Sequence, residues 1–120
     1  MNGTVPELLV DTDVFVDHLR GARRMAPGSE RILYSGVTRC ELFAGLKTDE
    51  DAVRRLLDPF EEIQVDRPIA ERAGRLRRAG GLRTPDALIA ATALEHELVL
   101  VTRNTRDFRP ARGLKIRSTI

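Results

Sequence analysis

Asp11, Glu41, Asp86 and Asp107 are the residues from which chemistry can be argued in this sequence. Asp11 ends the apolar run Leu8-Leu9-Val10, and Glu41 lies within an otherwise small, apolar helical stretch. Asp86 falls in the first turn of a second such stretch, and Asp107 follows the later apolar run Leu98–Val101. In a doubly wound sheet, the carboxyl ends of strands and the helix starts that follow them gather along one edge. Carboxylates about 4 Å apart there repel by roughly 4 kcal/mol at an effective dielectric of 20. Such a cluster therefore implies raised pKa values or a bound cation. Hard oxygen donors without His or Cys select magnesium, or manganese as a second choice. A cation of that kind readies a water for attack on a phosphate. Each acid also has a plainer reading: Asp11 as a helix cap, Glu41 paired with Arg39 or another arginine, Asp86 placed for the helix dipole, Asp107 in a turn. All four plain readings would have to hold together, against their shared address at one sheet edge.

The elements that must position these acids follow from the pattern of apolar residues. Leu8–Val10 reads as a buried parallel strand, and Thr12 or Asp13 as the cap of a helix ending near Gly21. Ile32–Ser35 is a second strand, with Ser35 as a turn or cap. Val37–Gly45 follows as a helix in which Val37, Cys40, Phe43 and Ala44 share a face. Thr48 starts a third helix, with Asp49-Glu50-Asp51 in its first turn and Pro59 at its end. A weak strand at Ile63–Val65 precedes a helix from Pro68 to about Ala79. Gly80-Gly81 then breaks the chain before Thr84, Pro85 and Asp86, which read as cap, start and first turn of a buried helix. Leu98–Thr102 is a buried strand, and Leu114–Ile116 a final edge strand. Helices alternating with short strands predict an α/β class, as a single domain over residues 1–120.

Composition narrows the setting. The 20 Lys and Arg against 18 Asp and Glu leave a net charge of +2, and Lys47 and Lys115 are the only lysines. Arginine suits phosphate recognition, though arginine richness also tracks genome composition. The single Cys40 reads as core filler and permits a reducing compartment. Residues 1–7 carry no leader pattern, and no apolar run approaches a membrane span, so a cytoplasmic protein without membrane contact is expected. His18 and His96 read as surface or helix-end residues, Asp13 as a capping residue that can face the site, and Asp17 as solvated.

Taken together, VDTDVFVD at 10–17, SGVTRCELFAG at 35–45, TPDALIAATA at 84–93 and VTRNTRDF at 101–108 resemble a PIN-domain ribonuclease, most closely the VapC type of bacterial toxin. The likeness runs over nearly the whole chain and includes the closing PARGLKIRS. It implies a three-layer α/β/α domain with a central parallel sheet, and magnesium-dependent cleavage of structured RNA such as transfer RNA. By resemblance Asp11, Glu41 and Asp86 are the acidic ligands, and Thr12 and Thr102 support the site. Many relatives carry aspartate where this chain has the neutral Asn104, which weighs against a second metal ion, and Asn104 or Asp107 completes the site. Arg83, Arg103 and Arg106 are candidate RNA contacts, within the basic segments Arg72–Arg83 and Arg103–Arg112. The resemblance also implies a VapB-like antitoxin seated near the early helices, and a homodimer.

Other readings compete. A PIN domain that binds RNA or protein without cutting is compatible with Asn104. Asp11-Thr12-Asp13-Val14 also fits the first four positions of the DxDx(T/V) signature, with Phe15 in the fifth, of a phosphatase family that needs a downstream lysine, for which Lys115 is poorly placed. A receiver-like signalling domain would need Asp66 as phosphoacceptor.

Overall fold

Leu8, Leu9 and Val10 are at most 1% exposed, which places their strand inside the molecule on both faces. The structure, a computed structural model, describes residues 5–120. Residues 1–4, within the segment expected to carry no leader, lie outside the described residues. The elements run β1 (Glu7–Val10), α1 (Thr12–Leu19), β2 (Arg31–Ser35), α2 (Gly36–Phe43), α3 (Glu50–Leu57), β3 (Glu61–Ile63), α4 (Arg67–Ala79), α5 (Thr84–Glu95), β4 (Val99–Val101) and β5 (Ile116–Arg117). A 3-10 turn at Thr105–Phe108 lies between β4 and β5. The sheet order is β3-β2-β1-β4-β5, with every pairing parallel.

Alternation along β1 divides the core. Leu9 joins Leu33, Ile69, Ile89 and Leu100 under α4 and α5. Leu8 and Val10 join Phe15, Tyr34, Val53 and Leu57 under α1 and α3. The result is a three-layer α/β/α arrangement around a parallel sheet, as the sequence pattern predicts. Burial of α5 follows from its small residues: Ala87, Ala90, Ala91 and Ala93 are fully buried, which lets the helix lie close to its neighbours. No helix among the described residues is long and apolar enough to cross a membrane.

Several boundaries differ from the sequence reading, each for a local reason. Asp11 caps α1, its side chain accepting from Thr12 N, so its plainer reading as a cap holds and that of Thr12 or Asp13 does not. Asp49 caps α3, while the Thr48 hydroxyl donates to Leu42 O at 3.0 Å. Thr84 lies inside the first turn of α5, and no side chain caps that helix. β3 sits two residues earlier than expected, because Ser35, the last residue of β2, pairs with Ile63 and leaves Val65 exposed. β5 begins at Ile116, in register with Leu100. The inner face of α2 carries Thr38 and Leu42, so Cys40 is exposed and is not core filler.

Candidate active site

From β1 the chain steps outward to β2 and β3, then returns to lay β4 on the other side of β1. Where strand order reverses in this way, the carboxyl ends of the two diverging strands leave a crevice. Asp11 stands at its head. The Asp11 amide donates to Val101 O at 2.9 Å, continuing the β1–β4 ladder by one bond. Its Oδ1 accepts from Thr12 N and its Oδ2 from Thr102 Oγ1, both at 2.8 Å. The carboxylate is 6% exposed and Thr102 is fully buried. Thr102 Oγ1 in turn accepts from Asn104 N at 3.0 Å, which orients the loop that follows β4.

The other acids approach from helices. The Thr12 hydroxyl donates to Glu41 Oε1 at 2.6 Å and lies 3.0 Å from Thr38 Oγ1, tying α1 to α2. Asp86 enters from the first turn of α5. Asp11, Asp13, Asp17, Glu41, Asp86 and Asn104 line one open cleft of about 400 Å³.

Electrostatics describe a site short of positive charge. Burial, and then the neighbouring charge of Asp13, push Asp11 up to about 7, with Asp86 adding to the rise. Asp86 is raised by burial and then by Asp107, Glu41 and Asp13, against a lowering from Arg83. Burial also raises Asp13, opposed by hydrogen bonds from Arg103 and Thr102. Among the described residues, no three of His, Cys, Asp and Glu already stand together as a ligand set. Mutual repulsion, all-oxygen donors and an open mouth fit a divalent cation.

The sequence reading misplaced or passed over several of these side chains. Glu41 is exposed at the mouth rather than buried, and Arg39 is engaged with Glu62 and Tyr34 instead of pairing with it. Asp13 accepts from Arg103 N at 3.1 Å through Oδ2, while its Oδ1 is buried without a partner. Asp17 is not simply solvated: it pairs with Arg103 Nε at 3.2 Å. Arg103 is therefore a brace rather than a free contact for RNA. Its side chain is 15% exposed and also donates to Ser118 O at 2.7 Å. Asp13, Val16, Asp17 and Arg20 all line the cleft, and their spacing of three and four residues on α1 was the available signal. Asn104 lines the cleft, and Asp107 stands behind it, accepting from Asn104 Nδ2 at 2.9 Å. Arg83 and Arg106 are exposed.

Two competing readings lose their key residue. Lys115 lies beside Glu97 and Gly113, away from the residues of the cleft, so the phosphatase reading has no lysine there. Asp66 caps α4, accepting from Ile69 N at 3.1 Å, which occupies the side chain a receiver domain would phosphorylate.

Comparison with known proteins bears on the family and the fold. Residues 8–114 match the family described as PIN domain. Ribonuclease VapC19 of Mycobacterium tuberculosis (strain ATCC 25618 / H37Rv) is 35% identical over 113 residues, covering 83% of this chain and 90% of that protein. Ribonuclease VapC10 of the same strain is 37% identical over 124 residues, covering 90% of each. A toxin–antitoxin complex from Klebsiella pneumoniae contains a chain that superposes with a TM-score of 0.75 at 34% identity, covering 92% of this chain and 96% of that one. VapBC2 from Rickettsia felis, bound to a promoter DNA fragment, gives 0.79 at 18% identity over 95% of this chain and 99% of that one, a likeness of fold alone.

Proposed function

The chain belongs to the PIN-domain family, as a relative of the VapC ribonucleases, and from that premise we propose that it is the ribonuclease toxin of a VapBC-type pair, dependent on Mg²⁺ and acting on structured RNA such as transfer RNA. The observation that carries this reading is Asp11: a buried carboxylate at the strand switch point, raised to about 7 and facing Asp86 and Glu41 across one cleft. A protein tolerates such a group where a ligand repays it.

Asp11 and Asp86 would hold Mg²⁺, with Mn²⁺ as a substitute. Such an ion supplies a water of lowered pKa and offsets charge developing on the scissile phosphate. Glu41, fixed through Oε1 by Thr12, keeps Oε2 free to hold that water or accept its proton. Thr102 holds Asp11 in one rotamer, and Asp17 with Arg103 braces the loop carrying Asn104. Arg83, at the start of α5, and Arg106 face the polyanion. The chain acts in the cytoplasm.

A VapB-like antitoxin is the natural inhibitor. A groove of about 560 Å³ lined by Leu19, Leu46, Ala52 and Val53 adjoins the cleft through Val16 and Arg20, which line both. Leu46 is fully exposed and Leu19 partly so, which leaves apolar side chains on this groove open to a partner. An antitoxin segment seated there reaches the carboxylates with a basic side chain. A homodimer is also part of this reading.

The direct experiment incubates purified chain with transfer RNA and Mg²⁺, then repeats it with EDTA and with Asp11→Asn. Cleavage is expected only in the first case; equal cleavage by Asp11→Asn sinks the assignment of the site. Asn104 favours one alternative, a PIN domain that binds RNA without cutting. Binding without cleavage in any divalent metal would select it.

A further inference from the structure

The larger groove of this molecule is not the acidic one. Between α4 and the loop before β5 lies a groove of about 900 Å³, lined by Arg72, Arg75, Leu76, Leu94, Pro110 and Arg112 among others, with no acidic residue in its lining. We propose that this groove is a second RNA-binding surface, holding the phosphate backbone of the substrate a few nucleotides from the bond that is cut; the inference rests on the ribonuclease reading.

The argument starts from charge. The cleft carries Asp11, Asp13, Asp17, Glu41 and Asp86 against Arg20, and so on balance repels the polyanion it is to cut. Affinity for RNA comes mainly from cations on phosphates, and must here come from outside the cleft. Arg72 and Arg75 stand three residues apart on α4, a spacing that sets their Cβ atoms about 5–6 Å apart on one face. Arg72 is steadied by Glu95 at 2.9 Å. Arg75 and Arg112 are exposed, and among the described residues neither forms an ion pair. Their guanidinium forks are open to phosphate oxygens.

Position supports the same occupant. Asp86 lies in the first turn of α5 and Leu94, eight residues on, lines the groove. At 1.5 Å per residue that is about 12 Å along the helix, within reach of one RNA strand crossing both sites. Arg83, whose charge is felt at Asp86, stands at the start of the same helix. The near wall is fixed by a close approach: at Gly81, with φ of +94°, a Cβ would lie 2.8 Å from Pro110 Cγ. No aromatic side chain lines the groove, so bases do not stack there, and the contact reads backbone rather than sequence.

The test is binding of fluorescein-labelled transfer RNA, followed by anisotropy in EDTA as salt is raised, for the unaltered chain and for Arg75→Ala/Arg112→Ala. The double variant is expected to bind about tenfold more weakly at moderate salt, and to lose roughly 1.5–2 from the slope of log K against log salt. Arg75→Lys/Arg112→Lys should restore most of the slope, and in Mg²⁺ the alanine variant should raise KM while leaving kcat within about twofold. Unchanged affinity and slope would overturn the proposal. So would unchanged RNA binding accompanied by loss of a dimer in light scattering, which assigns the groove to a second copy. Groove-dependent binding by a chain that never cuts counts against the ribonuclease reading alone; cutting with groove-independent binding counts against the groove alone.

Discussion

The acidic cleft and the arginine groove share one helix, α5, and are built on opposite terms. In the cleft, charge is turned inward and held in place: Asp11 accepts two hydrogen bonds and is 6% exposed, and burial drives its pKa to about 7. In the groove, charge is turned outward and mostly left loose, with Arg75 and Arg112 exposed. A net charge of +2 conceals this separation. Binding is assigned to groups that cost the fold nothing, and chemistry to groups the fold must strain to keep. Each region should therefore respond to a different perturbation.

The largest effect is expected from Asp11→Asn. RNA cleavage in Mg²⁺ should fall by about 10³-fold, the scale of losing a group that stabilises the transition state, while affinity for uncut transfer RNA stays level or improves. Weaker RNA binding by this variant would show that the two regions are not separable. Next comes pH. In metal-free protein Asp11 has its folded pKa near 7 against 3.8 in the unfolded chain. Above 7 the carboxylate is ionised in both states, and the burial and repulsion penalty is present in full. As pH falls from 8 toward 4 the folded state alone takes up the proton, so stability rises, by up to about 4 kcal/mol. Thermal melting in EDTA should show the rise, and Asp11→Asn should flatten most of it; a melting temperature that drops between pH 8 and pH 5 contradicts the account. Thr102→Val comes third. It strips a donor from Asp11 and an acceptor from the Asn104 amide in a buried position, at about 1–3 kcal/mol by denaturant unfolding. Smallest is Arg112→Ala, expected to move stability by less than about 0.5 kcal/mol in the same measurement.

How far the sequence already disclosed this varies with the kind of interaction. Leu8-Leu9-Val10 and the alanine-rich α5 were legible because a buried strand and a buried helix need apolar residues in runs that nothing else explains. Asp11 and Asp86 were legible by position, since each abuts such a run. Glu41 was found for a partly wrong reason: its helix looks apolar, yet α2 buries only Thr38 and Leu42 and turns Glu41 outward. Cap assignments failed where neighbouring residues compete for the same orphan amides. Asp11 caps α1, as its plainer reading allowed, rather than Thr12, and Asp49 outcompeted Thr48. The Asp17–Arg103 pair spans 86 positions, and no local pattern announces a contact of that range. The two basic segments were legible, but not the groove they share, because Arg75 and Arg112 line one surface only when the loop before β5 packs beside α4.

The bond from Thr102 to Asp11 joins residues 91 positions apart. β4 inserts beside β1 only after everything between them has been made, so the site exists in no shorter stretch of the chain. Until Thr102 has left the ribosome there is no partner for Asp11 and no floor to the crevice. A translation product interrupted before that point carries the opening motif intact but lacks the Thr102 donor to Asp11. On the proposed toxin reading, this long-range assembly would withhold the activity until synthesis is nearly finished.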